Sequence, residues 1–167
     1  MLSKVTYLKG GIQLATIAEI SEDLEKWTVF LTALSPYSDE LLRKPIVGTW
    51  SIQDMISHIM GWDKSFTKTL IQIINEEQIT LQEHPDVQAF NDSSVEFGRN
   101  MKPHDLLNEA IAERRRMIVK LKMVSESMFI RQFPNSSYTM GNFLQEMFVQ
   151  HDRHHKEQIM NSLQAMN

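Results

Sequence analysis

The chain has 167 residues, 42% of them hydrophobic and 23% charged, the proportions of one globular domain (residues 1–167) with a substantial buried core. A net charge of −4, with Arg114-Arg115-Arg116 the one basic block, argues against nucleic acid as a partner. The lack of cysteine excludes disulfides, thiolate ligands and a cysteine nucleophile; with no signal-peptide core and no apolar run approaching the ~18 residues of a membrane span, the expected compartment is the cytoplasm.

Residues 1–11 read as a lead-in ending at Gly10-Gly11. From Ile12 to Leu34, the residues Ile17, Ile20, Leu24, Trp27, Leu31 and Leu34 recur at spacings of three and four, which predicts a first amphipathic helix. Ser35-Pro36 stops it, and residues 35–50 form a connection punctuated by Pro36, Pro45 and Gly48. Ser51 then reads as an N-cap with Asp54 in the capping-box position. The second helix runs to about Asn75 and buries Ile52, Met55, Ile56, Ile59, Phe66, Leu70 and Ile74. His58 lies at the edge of that stripe, about 40° from Trp62 on the helical wheel, so a ligating group stands beside an aromatic wall.

Residues 76–102 are the least regular part, with a short helix expected over Asp86 to Arg99. The third helix starts at Pro103 and runs to about Met123, with Leu106, Leu107, Ala110, Ile111, Met117, Ile118 and Leu121 on its buried face. Arg114 falls inside that arc, where the pattern calls for an apolar residue. It can snorkel to the surface, pair with a buried carboxylate, or anchor an anionic substrate. Residues 124–138 are a linker, and Thr139 caps a fourth helix from Met140 to about Met166. Four long amphipathic helices without a convincing strand predict an all-α, four-helix bundle. Its long interhelical connections leave the topology free to depart from simple up-down-up-down.

The fourth helix carries the chemistry. With Leu144 at zero, Met147 falls at about 300°, Phe148 at about 40° and Ile159 at about 60°, which marks the core-facing stripe. His151 at about 340° and His155 at about 20° sit at its centre. Apolar packing does not ask for two imidazoles there, whereas a divalent metal does, because i, i+4 spacing puts two neutral nitrogens on one face. His58 is the best candidate for a third ligand, and three protein ligands leave room for water or substrate. The alternative is a pair of core histidines satisfied by a polar neighbour such as Gln158, at about 320°. His154, at about 280°, belongs to the flank, and His84 and His104 read as solvated. Asp54 and Asp152 are candidate acceptors for the ligand imidazoles, with capping the stronger role for Asp54.

Three stretches, GTWSIQDMISHIMGWD, the FND of Phe90-Asn91-Asp92, and YTMGNFLQEMFVQHDRHHKEQI, resemble the DinB-like family within the broader DinB/YfiT-like metalloenzyme superfamily. The resemblance covers nearly the whole chain. It implies a four-helix bundle holding a divalent metal, commonly nickel or zinc, on His58, His151 and His155. It also implies a small-molecule substrate and a homodimer, since dimers are common among relatives. Trp62, Arg114, His154 and Gln158 are the remaining candidates for substrate contact or for support of the ligands. Members include transferases that use a low-molecular-weight thiol, and the expected activity is that or metal-dependent hydrolysis. No H-E-x-x-H is present, which disfavours zinc-protease chemistry. The alternative to an enzyme is a stress-related metal-binding or interaction module.

Overall fold

A computed structural model describes residues 15–75, 84 and 86–166. Helix α1 (Ile17–Ala33) begins at a full capping box, in which Thr16 accepts from the Glu19 amide and Glu19 accepts from the Thr16 amide. The expected start at Ile12 is therefore too early: Thr16 is extended and fixes the first turn, and residues 12–14 lie outside the described residues. The connection after α1 is more ordered than its prolines suggest. It holds a short helix α2 (Asp39–Arg43) and an antiparallel pair of strands, β1 (Pro45–Val47) and β2 (Trp50–Ser51), where no strand was expected. Gly48 turns the hairpin at φ +57°, a conformation that favours glycine.

Helix α3 (Ile52–Ile74) starts at the Ser51–Asp54 capping box, and Ile73, not Ile74, takes its last core position. Helices α4 (Val87–Arg99), capped by Asp86, and α5 (Pro103–Leu121), with proline in its first turn, follow. A single turn, α6 (Glu126–Phe129), interrupts the next linker. The last helix is continuous but irregular: α7 (Met140–Leu144), a π-helical turn over Gln145–Val149, then α8 (Gln150–Met166).

The core divides into two clusters. One contains Ile17, Ile20, Leu24, Phe66, Leu70, Met117, Leu121, Leu144 and Phe148, and the other Trp27, Leu31, Ile52, Ile56, Ile59, Leu106, Ala110, Ile159 and Leu163. Each of the four long helices passes from one cluster to the other, and the change falls at one level. That level holds Asp63 of α3, Arg114 of α5 and Asp152 of α8, all buried. Each fully buried aliphatic side chain contributes about 1.5–3 kcal/mol of transfer free energy, so the clusters carry the fold while the polar layer sets its register.

The clusters also fix the topology. α1 and the last helix, from α7 through α8, run from the first cluster to the second, whereas α3 and α5 both run from the second to the first. Two consecutive long helices with the same direction need a connection that travels back along the bundle, and α4 is part of it. It lies antiparallel on α3, with Ser94 against Gly61 and Gly98 against Ser57. Among the described residues, no helix is long and apolar enough to cross a membrane.

Candidate metal centre

His58 stands two turns into α3, on the edge of its buried stripe and 5% exposed. His151 and His155 stand one turn apart on α8. The π turn just before them resets the face that α8 presents. An extra residue in one turn rotates everything after it relative to an ideal wheel. Met147, expected in the stripe, is 50% exposed, while Val149 and Asp152 turn inward. The buried series is Leu144, Phe148, Val149, Asp152, His155, Ile159 and Leu163, with His151 half-buried at its margin.

The three imidazoles converge. His151 Nε2 lies 3.0 Å from His58 Nε2 and 3.0 Å from His155 Nε2. The rings meet edge to face, at 80°, 76° and 74°. One ring nitrogen carries either one proton or one lone pair, so His151 Nε2 makes one good hydrogen bond and leaves the other contact unsatisfied. A shared cation removes that frustration. Two nitrogens each ~2.0–2.1 Å from one ion stand roughly 2.8–3.4 Å apart at octahedral to tetrahedral angles, and the observed spacing falls in that range. Among the described residues, these three are the ones grouped for a metal, and no carboxylate joins them.

Protonation points the same way. Burial, reinforced by the mutual repulsion of His58 with the other two, pushes His58 down to about 3. Burial together with the neighbouring positive groups takes His151 and His155 down to about 4. All three are neutral at neutral pH, with lone pairs available to a metal. His155 Nδ1 lies 2.9 Å from Gln158 Oε1, which can only accept, so Nδ1 carries the proton and Nε2 is the ligand-ready nitrogen. No hydrogen bond of good geometry reaches His58 Nδ1, although the Asn91 carboxamide lies close enough to favour its protonated form slightly. Trp62 Nε1–H donates to Asn91 Oδ1 at 3.1 Å, so Trp62 acts on the site through α4.

Trp50 is the residue that the sequence reading passed over. Its ring centroid is 5.1 Å from that of His58, and it stacks on His155 at 6.5 Å and 19°. The hairpin puts it there. The signal available in the sequence was its place directly before the Ser51 cap, within the quoted GTWS.

The structure sorts the remaining candidates, bearing out some expectations and correcting others. Arg114 is 0% exposed, with Nε donating to Asp63 at 2.9 Å and both Nη atoms donating to Asp152, so it faces neither solvent nor substrate. Pairing with buried carboxylates is the reading that fits, because a fully desolvated guanidinium persists when its donors are matched. Asp152 is thereby spent on Arg114 and is not an imidazole acceptor. Asp54 caps α3 and accepts from Arg99, away from the histidines. His154 is exposed and packs edge-on against His155, outside the nitrogen cluster. His84 is half-buried, not solvated: its Nε2 is 2.8 Å from Ser65 Oγ and its ring lies against Phe90 and Trp62. His104 is exposed but pairs with Asp39 at 2.6 Å, tying α5 to α2.

Comparison with curated proteins gives no match. Among solved structures, YfiT from Bacillus subtilis, described as a probable metal-dependent hydrolase with an unusual four-helix bundle topology, superposes with a TM-score of 0.72. The alignment covers 98% of this chain and 93% of that one at 19% identity, a likeness of fold. The profile of the DinB superfamily matches residues 23–159, from the first helix through all three histidines. With the bundle, its returning α4 and that match together, the chain belongs to the DinB superfamily.

Proposed function

We propose that the protein is a divalent-metal enzyme that activates a small nucleophile, a low-molecular-weight thiol ahead of water, for attack on a small electrophile. The observation that carries this reading is the convergence of three neutral Nε2 atoms at 3.0 Å contacts. His58, His151 and His155 would hold the ion, nickel or zinc by the softness of an all-imidazole set. A divalent ion held there supplies Lewis acidity, which makes a bound thiol or water a nucleophile near neutral pH. Gln158 keeps the His155 ring in its ligating tautomer. Trp50 covers two of the three rings and limits water around them.

The preference for a thiol comes from the carboxylates. Asp54 and Asp152, the two acids that sequence places near the histidines, are both committed to arginines. A thiol ionises on a metal without a partner base, whereas hydrolysis gains more from one. Hydrolysis is the second reading, favoured by the description of the YfiT neighbour.

The test is metal analysis of protein purified without added metal, for wild type and His155→Ala, followed by rates with a panel of thiols and electrophiles. The expected result is near-stoichiometric nickel or zinc in wild type, loss in the variant, and turnover that needs both metal and thiol. Metal-dependent turnover with water alone would assign hydrolysis. No metal bound at micromolar concentration would overturn the proposal. Light scattering on the same samples tests the homodimer that the family resemblance implies.

A further inference from the structure

A cavity lies along α3 where α4 packs against it. Its volume is about 250 Å³, and it is lined by residues of α3, residues of α4 and His84. Helices α3 and α4 touch where Gly61 meets Ser94; a Cβ at Gly61 would come within 2.2 Å of Ser94 Oγ. The lining extends along α3 from Ser57 to Lys68.

Its lining has a definite chemistry. Met60, Phe90 and Phe97 supply an apolar floor and walls. Lys64 and Lys68, one turn apart on α3, supply positive charge, and among the described residues no aspartate or glutamate lines the cavity although the protein carries a net charge of −4. Lys64 Nζ sits 4.7 Å from the centre of the Phe97 ring and makes only a loose contact, 3.7 Å, with Glu109. Lys68 forms no ion pair among the described residues. The hydroxyls of Ser57 and Ser94 donate to backbone carbonyls of α4, Ser65 is paired with His84, and the two lysines are the ammonium groups of the described lining. An apolar trough with two ammonium groups, one of them loosely held by Glu109 from outside the described lining, suits one ligand class.

We propose that this cavity binds a small organic anion, an acid with an aromatic or branched apolar body, independently of the histidine cluster. The volume admits about ten non-hydrogen atoms, since a cavity of ~150 Å³ accommodates benzene. The apolar body packs between Phe90 and Phe97, and the anionic head lies between the two lysines. Trp62, whose ring lies 5.1 Å from His84 and 4.5 Å from Phe90, stands directly behind the cavity wall.

Benzoate is a suitable probe and benzamide its neutral counterpart, followed by two-dimensional NMR of the full ¹⁵N-labelled chain, metal-free and zinc-loaded. Benzoate is expected to produce saturable shifts in α3 and α4 amides and in the Trp62 indole N–H, with equal affinity in both forms. Benzamide, and benzoate with Lys64→Met/Lys68→Met protein, are expected to bind at least tenfold more weakly. Phe97→Glu, a substitution at a half-exposed position, places an acid on the rim and is expected to abolish the response while the spectrum stays folded. Absence of saturable shifts would overturn the proposal, as would equal binding of benzamide or an unaltered affinity in the double lysine variant. Shifts that require zinc and centre on His151 and His155 would place the anion at the metal instead, with the same consequence. Because binding is read with and without metal, failure here leaves the metal reading intact.

Discussion

Arg114→Met removes the centre of the polar layer while keeping a long, unbranched side chain in its place. In the native fold the guanidinium donates to Asp63 at 2.9 Å and to both oxygens of Asp152, one of them at 3.0 Å, with all three residues buried. The substitution leaves two carboxylates desolvated and unpaired. Breaking a buried ion pair from one side costs about 3–5 kcal/mol, a large part of the roughly 5–15 kcal/mol that stabilises a domain of this kind. The sign of the pH dependence follows. Burial already pushes Asp63 up to about 6 and raises Asp152 even with the arginine present. Without it both rise further, and a carboxylate with a raised folded pKa contributes stability at low pH that is lost as pH rises through that pKa. Urea denaturation should therefore show the variant weaker than wild type by about 3–5 kcal/mol at pH 8 and by clearly less at pH 5. The triple variant Asp63→Leu/Arg114→Met/Asp152→Leu should recover most of the loss, since an apolar layer replaces ions that were costly to bury. A deficit under about 1 kcal/mol at pH 8, or one that grows on acidification, would refute this account of the layer.

Metal-free protein should lose stability as pH falls from about 6.5 towards 4, because three histidines with folded pKa values of about 3 to 4 take up protons on unfolding. Each adds up to about 1.4 kcal/mol per pH unit, so a flat stability profile over that range in denaturant titrations would contradict their burial. Gln158→Leu should weaken metal binding about 10–100-fold in chelator competition with little effect on metal-free stability, because it frees the His155 tautomer; an unchanged affinity would remove Gln158 from the site. Gly61→Ala should cost about 1–3 kcal/mol in thermal or urea unfolding, since its Cβ would meet Ser94 Oγ at 2.2 Å and Ser94 Cβ at 2.8 Å. A neutral result would mean that α4 lifts away freely. Trp50→Ala should raise the exposure of His155 and shift the metal-free pKa of that ring upward towards its ordinary value, measurable by NMR titration.

Much of the architecture is legible in the amino-acid order because helices are local objects. Ile17 to Leu34, Ile52 to Leu70 and Leu106 to Leu121 announce their buried faces through spacings of three and four, and Ser51, Pro103 and Thr139 mark helix starts. His151 and His155 stand out for the same reason: four residues place them one turn apart whatever surrounds them. What the tertiary structure alone decided depends on partners far along the chain. His58 and His151 are 93 residues apart, and Arg114 finds Asp63 and Asp152 across 51 and 38. No periodicity contains those distances, which is why Arg114 was open to three readings until packing chose one. The π turn at Gln145–Val149 is a second case: the 3.6-residue wheel put Met147 in the core, and one extra residue per turn moved it out and brought Asp152 in. Trp50 is the third, carried by a two-residue strand too short to leave a pattern and set over the histidines by the hairpin. Local spacing determined which residues share a helix face; side-chain packing between helices determined what each face meets.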